Sequence, residues 1–255
     1  MHQISASFER TLKEFLRNRS VVFWTIAWPS IWVLIYSLLF TKEVPKHAVP
    51  YVRASITISM MTFALTIAGM ANLPANIARD KESGLFAKLK SMPLTPWKDI
   101  LGRLSALTVF SAIASILVAI TGVLCGARFS GTYDHVIRSI LFLLIALLAS
   151  AGIGLILGSF IQNVQGVIMG GVGICVVMAS ISGIFSSYAS LPPILQELSR
   201  VYPISSANSI SIYLLAGESV AGYNPLGQAA STVVSSLLIF FIGLILYHRI
   251  LWRGE

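Results

Sequence analysis

The chain has 255 residues, of which 56% are apolar and only 11% are charged, and its formal net charge is +8. A soluble domain typically carries about 25% charged residues, so this chain has too few charges to cover a surface that faces water. The composition therefore excludes an ordinary soluble domain and favours a bundle of membrane-spanning helices.

Residues 4–19 form the first predicted element, an amphipathic helix. Its apolar side chains recur at helical spacing, and charged residues surround them. They are Ile4, Phe8, Leu12, Phe15 and Leu16. We expect residues 1–20 to lie at the membrane interface. The pattern leaves open whether this helix is a passive anchor or a lever that also contacts a cytoplasmic partner.

Six stretches follow that are long and apolar enough to cross about 30 Å of hydrocarbon, which takes about 20 helical residues. A helix also satisfies its own backbone, which lipid cannot do. The stretches are 21–40, 54–73, 104–126, 139–161, 164–187 and 228–247. The predicted fold class is an all-α membrane protein, with residues 21–255 forming one six-helix transmembrane domain.

The first span carries a row of tryptophans at every fourth residue. Trp24, Trp28 and Trp32 lie on one helix face, and Pro29 between them predicts a kink. We interpret the row as packing, with contact to a substrate as the alternative.

The second span carries a stripe of hydroxyl side chains on one face of an otherwise apolar helix. The stripe consists of Ser55, Ser59, Thr62 and Thr66. Such hydroxyls usually bond to their own backbone or hold helices together. The alternative is that they line a substrate path.

The fourth and fifth spans contain pairs of glycines four residues apart, a spacing that lets helix backbones approach closely. The pairs are Gly154 with Gly158, and Gly166 with Gly170. Packing within one subunit and packing between two subunits both fit. Between the fifth and sixth spans, the external segment 188–227 contains a short apolar stretch, 204–215, which predicts a re-entrant or interfacial helix.

The positive charges orient the bundle and argue against nucleic-acid binding. Twelve of the 18 Lys and Arg residues lie in the N-terminal segment, in the connection 79–103 between the second and third spans, and in the C-terminal segment. The positive-inside rule then predicts cytoplasmic termini, in a plasma or inner membrane. No cleavable signal peptide is expected at the N-terminus.

Several kinds of chemistry have no candidate residues in the sequence. Cys125 and Cys175 lie apart in apolar segments, which predicts no disulfide or metal site. No ionisable residue lies near the centre of a span, which argues against a proton-coupled transporter and against an intramembrane enzyme. A GxxxxGK[ST] phosphate loop is also absent from the sequence. We therefore predict no catalytic residue and no cofactor on this chain, and expect any nucleotide to bind a partner.

The loop between the second and third spans is the most distinctive stretch. A charged turn leads into a short predicted helix with Leu85, Phe86 and Leu89 on one face, which Pro93 and Pro96 end. Exposed apolar side chains in a charged loop favour contact with a partner.

This loop resembles that of the permease subunits of type-2 ABC exporters, the daunorubicin-resistance and polysaccharide-export kind. Those proteins carry E-R-E-x-G-T before an apolar helix and a proline. Here Asp80-Lys81-Glu82-Ser83-Gly84-Leu85 matches at Glu82 and Gly84, is conservative at the first two positions, and has Leu85 in place of Thr. The amphipathic N-terminal helix, the six spans and the external segment extend the resemblance over nearly the whole chain.

The resemblance implies that two permease subunits, here expected to form a homodimer, pair in the bilayer above two ABC ATPase subunits that bind ATP and Mg²⁺. It implies that the loop couples each permease to an ATPase subunit. It also implies that a substrate route runs between the two permeases, lined largely by the second and fifth spans. The implied coupling residues are Asp80, Lys81, Glu82, Gly84, Leu85, Phe86 and Leu89. Ser55, Ser59, Thr62 and Thr66 are the implied lining residues, and Ile184 and Phe185 an implied apolar plug.

The leading hypothesis is an exporter permease for an amphipathic, drug-like, lipid-linked or glycan substrate. The second hypothesis is a membrane scaffold or toxin-immunity protein that transports nothing and needs no ATPase. A secondary transporter is the third.

Overall fold

The computed structural model describes residues 2–41, 44–85, 88, 95–185, 192–217 and 226–253. Nine principal helices occupy this part of the chain. They are α1 (His2–Arg17), α2 (Arg19–Leu39), α3 (Val49–Glu82), α4 (Pro96–Leu124), α5 (Tyr133–Phe160), α6 (Val164–Ile181), α7 (Pro193–Val201), α8 (Pro203–Ala216) and α9 (Ala229–Trp252).

The predicted six-span, all-helical fold is confirmed. Helices α2 to α6 and α9 are long and apolar enough to cross a membrane. Several predicted bounds were wrong, among them the start of the third span, which lies at Pro96 rather than at residue 104. The second span continues past residue 73 to Glu82, and the fifth ends at Ile181 rather than at 187. The fifth span ends early because the chain turns there, with Gly183 at a φ of 74°.

Two prolines are accommodated inside spans by π-helical turns. A π turn at Phe23–Ala27 precedes Pro29 in α2, and another at Ala68–Asn72 precedes Pro74 in α3. Proline lacks the N–H of the regular ladder and its ring collides with the carbonyl four residues earlier, so a wider turn relieves the collision. The helix therefore passes through Pro74 instead of ending there.

Helix α3 is the central element of the bundle. In its most apolar stretch 89% of the residues are buried, compared with 22% in α6 and in α9. Helix α8 is also buried almost throughout, against α3, α5 and α9. The helix predicted for residues 204–215 is therefore present, and its re-entrant or interfacial position stays a prediction.

The two glycine-rich spans differ in how their glycines are used. A Cβ on Gly154 would lie 2.0 Å from the carbonyl oxygen of Gly69, so α5 packs directly on the backbone of α3. A Cβ on Gly171 of α6 would lie 2.2 Å from the carbonyl oxygen of Met70 in α3. By contrast, a Cβ on Gly173 would meet nothing within 4 Å among the described residues. The α5 pair thus serves packing within the chain, and α6 turns part of its small-residue surface outward.

The helix termini define two ends of the bundle. We call "the basic end" the one formed by α1, the C-terminus of α3, the start of α4, the α5–α6 connection and the C-terminus of α9. Hydrogen bonds join these segments directly. The opposite end carries the start of α3, where Arg53 donates to the carbonyl oxygens of Cys125 (2.7 Å) and Ser37 (3.1 Å).

Candidate functional site

Helix α1 is packed onto the bundle at the basic end. A Cβ on Gly102 of α4 would lie 2.8 Å from the carbonyl oxygen of Ile4, so only glycine allows this approach. Ser7 donates a 2.9 Å hydrogen bond to the carboxylate of Asp99. Phe15 is buried and its ring lies 5.4 Å from that of Phe110. These contacts make α1 part of the bundle core and fix it to the start of α4.

The centre of the basic end is a buried arginine between two carboxylates. The side chain of Arg103 is 0% exposed, and it pairs with Asp99 at 2.8 Å and with Asp80 at 2.5 Å. It also donates to the side-chain oxygen of Asn76, and the Tyr247 hydroxyl donates to Asp99 at 3.0 Å. Buried charges persist when they are paired and fully hydrogen-bonded. This cluster therefore ties together α3, α4 and α9.

Two further ion pairs join α1 to the C-terminal part of α3. Arg10 pairs with Asp80 at 2.9 Å, and Arg79 pairs with Glu14. Both pairs are only partly exposed, so they are screened less by solvent than a surface pair.

The next two residues of α3 bind the α5–α6 connection. Lys81 donates to the carbonyl oxygens of Gly158 (2.7 Å) and Ser159 (2.9 Å), two of the unpaired acceptors at the C-terminus of α5. Glu82 accepts a 2.8 Å hydrogen bond from the backbone N–H of Val164 at the start of α6. The positive charge of Lys81 lies at the negative C-terminal end of α5, and the negative charge of Glu82 lies at the positive N-terminal end of α6. We call the consecutive residues Asp80, Lys81 and Glu82 "the α3 clamp".

The predicted coupling residues have different environments. Asp80 is buried and cannot itself contact a docked partner, so its part in coupling would be to hold α1 and α4. Glu82 and Gly84 are exposed, and Gly84 has a φ of 68°, the left-handed conformation that suits a helix C-terminus. Leu85 is half-buried, while Phe86 and Leu89 lie outside the described residues. The coupling role of this set stays a prediction.

The four predicted lining hydroxyls are buried and hydrogen-bonded inside the chain. Ser55 and Thr66 donate to carbonyl oxygens one turn earlier, at 3.2 and 2.7 Å. Thr62 lies 2.9 Å from the side-chain oxygen of Asn208 in α8, whose amide donates to Ser59 at 3.3 Å. The stripe thus holds α8 against α3, and a lining role stays a prediction.

The two predicted plug residues lie in the turn after α6, at the opposite end. Ile184 is 6% exposed and belongs to the core. Phe185 packs against Phe63 and Trp32, with ring centroids 4.9 and 5.7 Å away. Trp28 stacks next to Trp32, so the tryptophan row of α2 continues into this aromatic cluster. The packing interpretation of that row agrees with these contacts, and the plug stays a prediction.

Sequence reasoning missed the two polar residues that organise the interior. Arg103 was considered only among the basic residues that orient the bundle. Its spacing of four from Asp99 nevertheless predicts an ion pair on a helix. Asn208 stood within an apolar stretch without a visible partner, since Ser59 and Thr62 lie about 150 residues away in sequence.

In the part of the chain that the structure describes, no group of His, Cys, Asp or Glu side chains could hold a metal ion.

Comparison with known proteins identifies the family of the chain. No individual curated protein matches the chain. The family model described as ABC-2 type transporter matches residues 2–216. Taken with the six spans, this match shows that the chain is a multi-pass membrane permease belonging to the ABC-2 type transporter family.

Proposed function

We propose that this permease is the membrane subunit of an ATP-driven exporter, powered by a separate ABC ATPase docked at the basic end. Permeases of this family generally work with such an ATPase. The excess of Lys and Arg at the basic end supports a cytoplasmic orientation for it in a plasma or inner membrane. ATP and Mg²⁺ would bind the partner and not this chain.

The observation that carries the proposal is the α3 clamp. Its three consecutive side chains bond to α1 and α4, to the end of α5 and to the start of α6. The segment that follows the clamp is the loop predicted to contact the ATPase. A displacement of that loop would therefore pull on four helices at once, which is what a coupling element needs to do.

A second copy of the chain would complete the transport path. Helix α6 supports this part of the proposal because its outward face is apolar and small. Gly173 lies there beside Met169, Val176 and Val177, whose side chains are 76%, 41% and 56% exposed. Small residues let spanning helices approach closely. This path would take an amphipathic, drug-like, lipid-linked or glycan substrate past Ile184 and Phe185. The hydroxyl stripe would join its lining when α8 moves away from α3, since α8 covers the stripe.

Purification of the chain in mild detergent tests the partner. We expect a nucleotide-binding subunit to co-purify in a fixed ratio and to hydrolyse ATP faster with the permease than alone. Phe86→Asp should abolish this stimulation by placing a charge on the predicted docking face. Tyr133→Asp is the matched control, since Tyr133 is 91% exposed at the opposite end.

Two outcomes would overturn the proposal. Stimulation unchanged by Phe86→Asp would remove the coupling assignment. Absence of any ATPase subunit would favour the scaffold or immunity function, and substrate uptake driven by an ion gradient alone would favour a secondary transporter.

A further inference from the structure

Helix α2 has a built-in place to bend. Its π turn at Phe23–Ala27 is followed by Pro29, whose missing N–H leaves the ladder of backbone hydrogen bonds incomplete. Sharp bends in helices occur at such places. On the side of the basic end the turn is fixed, because the buried hydroxyl of Thr25 accepts a 2.7 Å hydrogen bond from the side chain of Asn72 in α3. Bending would therefore move the part of α2 that follows the turn.

That part, Trp28–Leu39, lies against α3 and α4, and we call it "the α2 arm". It contacts the bundle through one narrow stripe, since its buried side chains are Pro29, Val33 and Ser37, four residues apart. In the most apolar stretch of α2 only 28% of the residues are buried, compared with 89% in α3. Apolar packing therefore holds the arm weakly.

One side chain, Arg53 of α3, joins the arm to α4 at the opposite end of the bundle. Its guanidinium donates to the carbonyl oxygen of Ser37 at 3.1 Å and to that of Cys125 at 2.7 Å. Both carbonyls lie at helix C-termini, where the helix leaves acceptors without intrahelical partners and a positive charge is favoured. The described partners of Arg53 are uncharged oxygens, and its side chain is only partly buried, so water can take over these bonds when the arm moves.

We propose that the α2 arm is a flap that bends at Phe23–Ala27 and is latched in its closed position by Arg53. Trp32 of the arm packs edge-on against Phe185, with ring centroids 5.7 Å apart, so opening uncovers Phe185. At 1.5 Å per residue the tip of the arm lies about 16 Å from the π turn. A bend of about 20° then displaces the tip by about 6 Å. The flap belongs to this chain alone, so its test does not depend on an ATPase.

The distance between spin labels on α2 and α4 tests the latch in lipid vesicles. The labels are attached after Leu38→Cys and Leu124→Cys, at side chains that are 67% and 83% exposed, in a chain that also carries Cys125→Ser and Cys175→Ala. Dilution with unlabelled protein restricts the measurement to distances within one chain. We expect one distance while Arg53 is present and a second distance, about 6 Å longer, with Arg53→Gln. Arg53→Lys, which keeps the charge but cannot bond to both helix ends as a fork, should give a smaller share of the longer distance.

Pro29→Ala tests the hinge. Combined with Arg53→Gln, it restores a donor to the backbone ladder and should remove the longer distance. Arg128→Gln is the matched control for the latch, because Arg128 is an exposed arginine at the same end, and it should leave the single distance unchanged. A second label pair at Leu124 and Leu238 joins α4 to α9, whose labelled parts are regular α-helix, and should report the same distance in every variant.

Three outcomes would overturn the proposal. A distribution that Arg53→Gln and Arg128→Gln change equally, or that neither changes, would exclude the latch. A longer distance that remains after Pro29→Ala would place the bend outside the π turn. A change in the distance between Leu124 and Leu238 as well would show that the whole bundle loosens instead of one arm opening.

Discussion

Arg103 is a fully buried cation whose counter-charges come from two helices. Asp80 of α3 and Asp99 of α4 face it, and both carboxylates are themselves nearly inaccessible to solvent. Removing one member of a buried ionic group is costly because it leaves the others uncompensated. The cluster should therefore dominate the stability of the basic end.

Replacement of Arg103 by methionine tests this. Arg103→Met keeps much of the side-chain volume but removes the close ion-pair partner of Asp99 and leaves Asp80 paired with Arg10 alone, so we expect a loss of about 3–5 kcal/mol. The measurement is the midpoint of thermal unfolding in detergent. Arg138→Gln is the control, since Arg138 and its partner Asp134 are more than half exposed and such a pair contributes about 0–1 kcal/mol. Equal shifts for both variants would contradict the role given to Arg103.

Asn208 supports a second prediction at this scale. Asn208→Leu removes the hydrogen bonds to Ser59 and Thr62, each worth about 0.6 kcal/mol on average between spanning helices. We expect α8 to loosen, seen as faster hydrogen exchange of its backbone amides (measured by mass spectrometry). Ser235→Ala is the control, because Ser235 is only half-buried and bonds only within its own helix in the described structure. Unchanged exchange in α8 would show that apolar packing alone holds it.

The sequence could locate these polar residues but not their environment. Asp99 and Arg103 are visible as a helical pair, yet the third member, Asp80, comes from another span. The burial of Arg103 depends on α1 covering the start of α4, which is a tertiary contact. No local pattern contains that information.

At the scale of the element, α6 presents two glycines that face in opposite directions. Gly171 packs against the backbone of α3, and Gly173 meets open space. Gly171→Ala should destabilise the permease, because its new methyl group would lie 2.2 Å from the carbonyl oxygen of Met70. Gly173→Ala should leave the unfolding midpoint of the isolated chain unchanged.

Gly173 also tests the proposed second copy. Gly173→Trp should shift the permease toward monomer, because a large side chain would separate helices that approach closely. Light scattering of the detergent-solubilised protein measures this, with Leu144→Trp as the control at an exposed position of α5 (Leu144 is 38% exposed). An unchanged dimer fraction would place the interface elsewhere.

The spans were predictable because hydropathy and helix length are local properties that lipid makes compulsory. The residues at which the spans end were harder to predict. Pro74 predicts a break, but a π turn absorbs it and α3 runs on to Glu82. Gly183 ends α6 through backbone conformation, while the apolar residues Ile184 and Phe185 continue the hydropathy beyond the helix.

For the whole molecule, the distribution of contacts explains how a displacement of the loop after α3 could reach several helices. The bundle is held at the basic end by charged side chains and elsewhere by apolar packing, backbone contact and the hydrogen bonds of Arg53 and Asn208. Family membership follows from the sequence, since the loop motif and the order of spans are linear features. The α3 clamp does not, because its partners Gly158, Ser159 and Val164 lie about 80 residues beyond it.

The most direct test of coupling through the α3 clamp is the ATP hydrolysis rate of the reconstituted complex with Glu82→Gln. This variant keeps the shape of the side chain but removes the charge that binds the start of α6. We predict that the ATPase remains bound and that its stimulation by the permease falls severalfold. Glu9→Gln, which removes an exposed carboxylate at the same end, should leave stimulation at the wild-type level. Wild-type stimulation with Glu82→Gln would contradict the account.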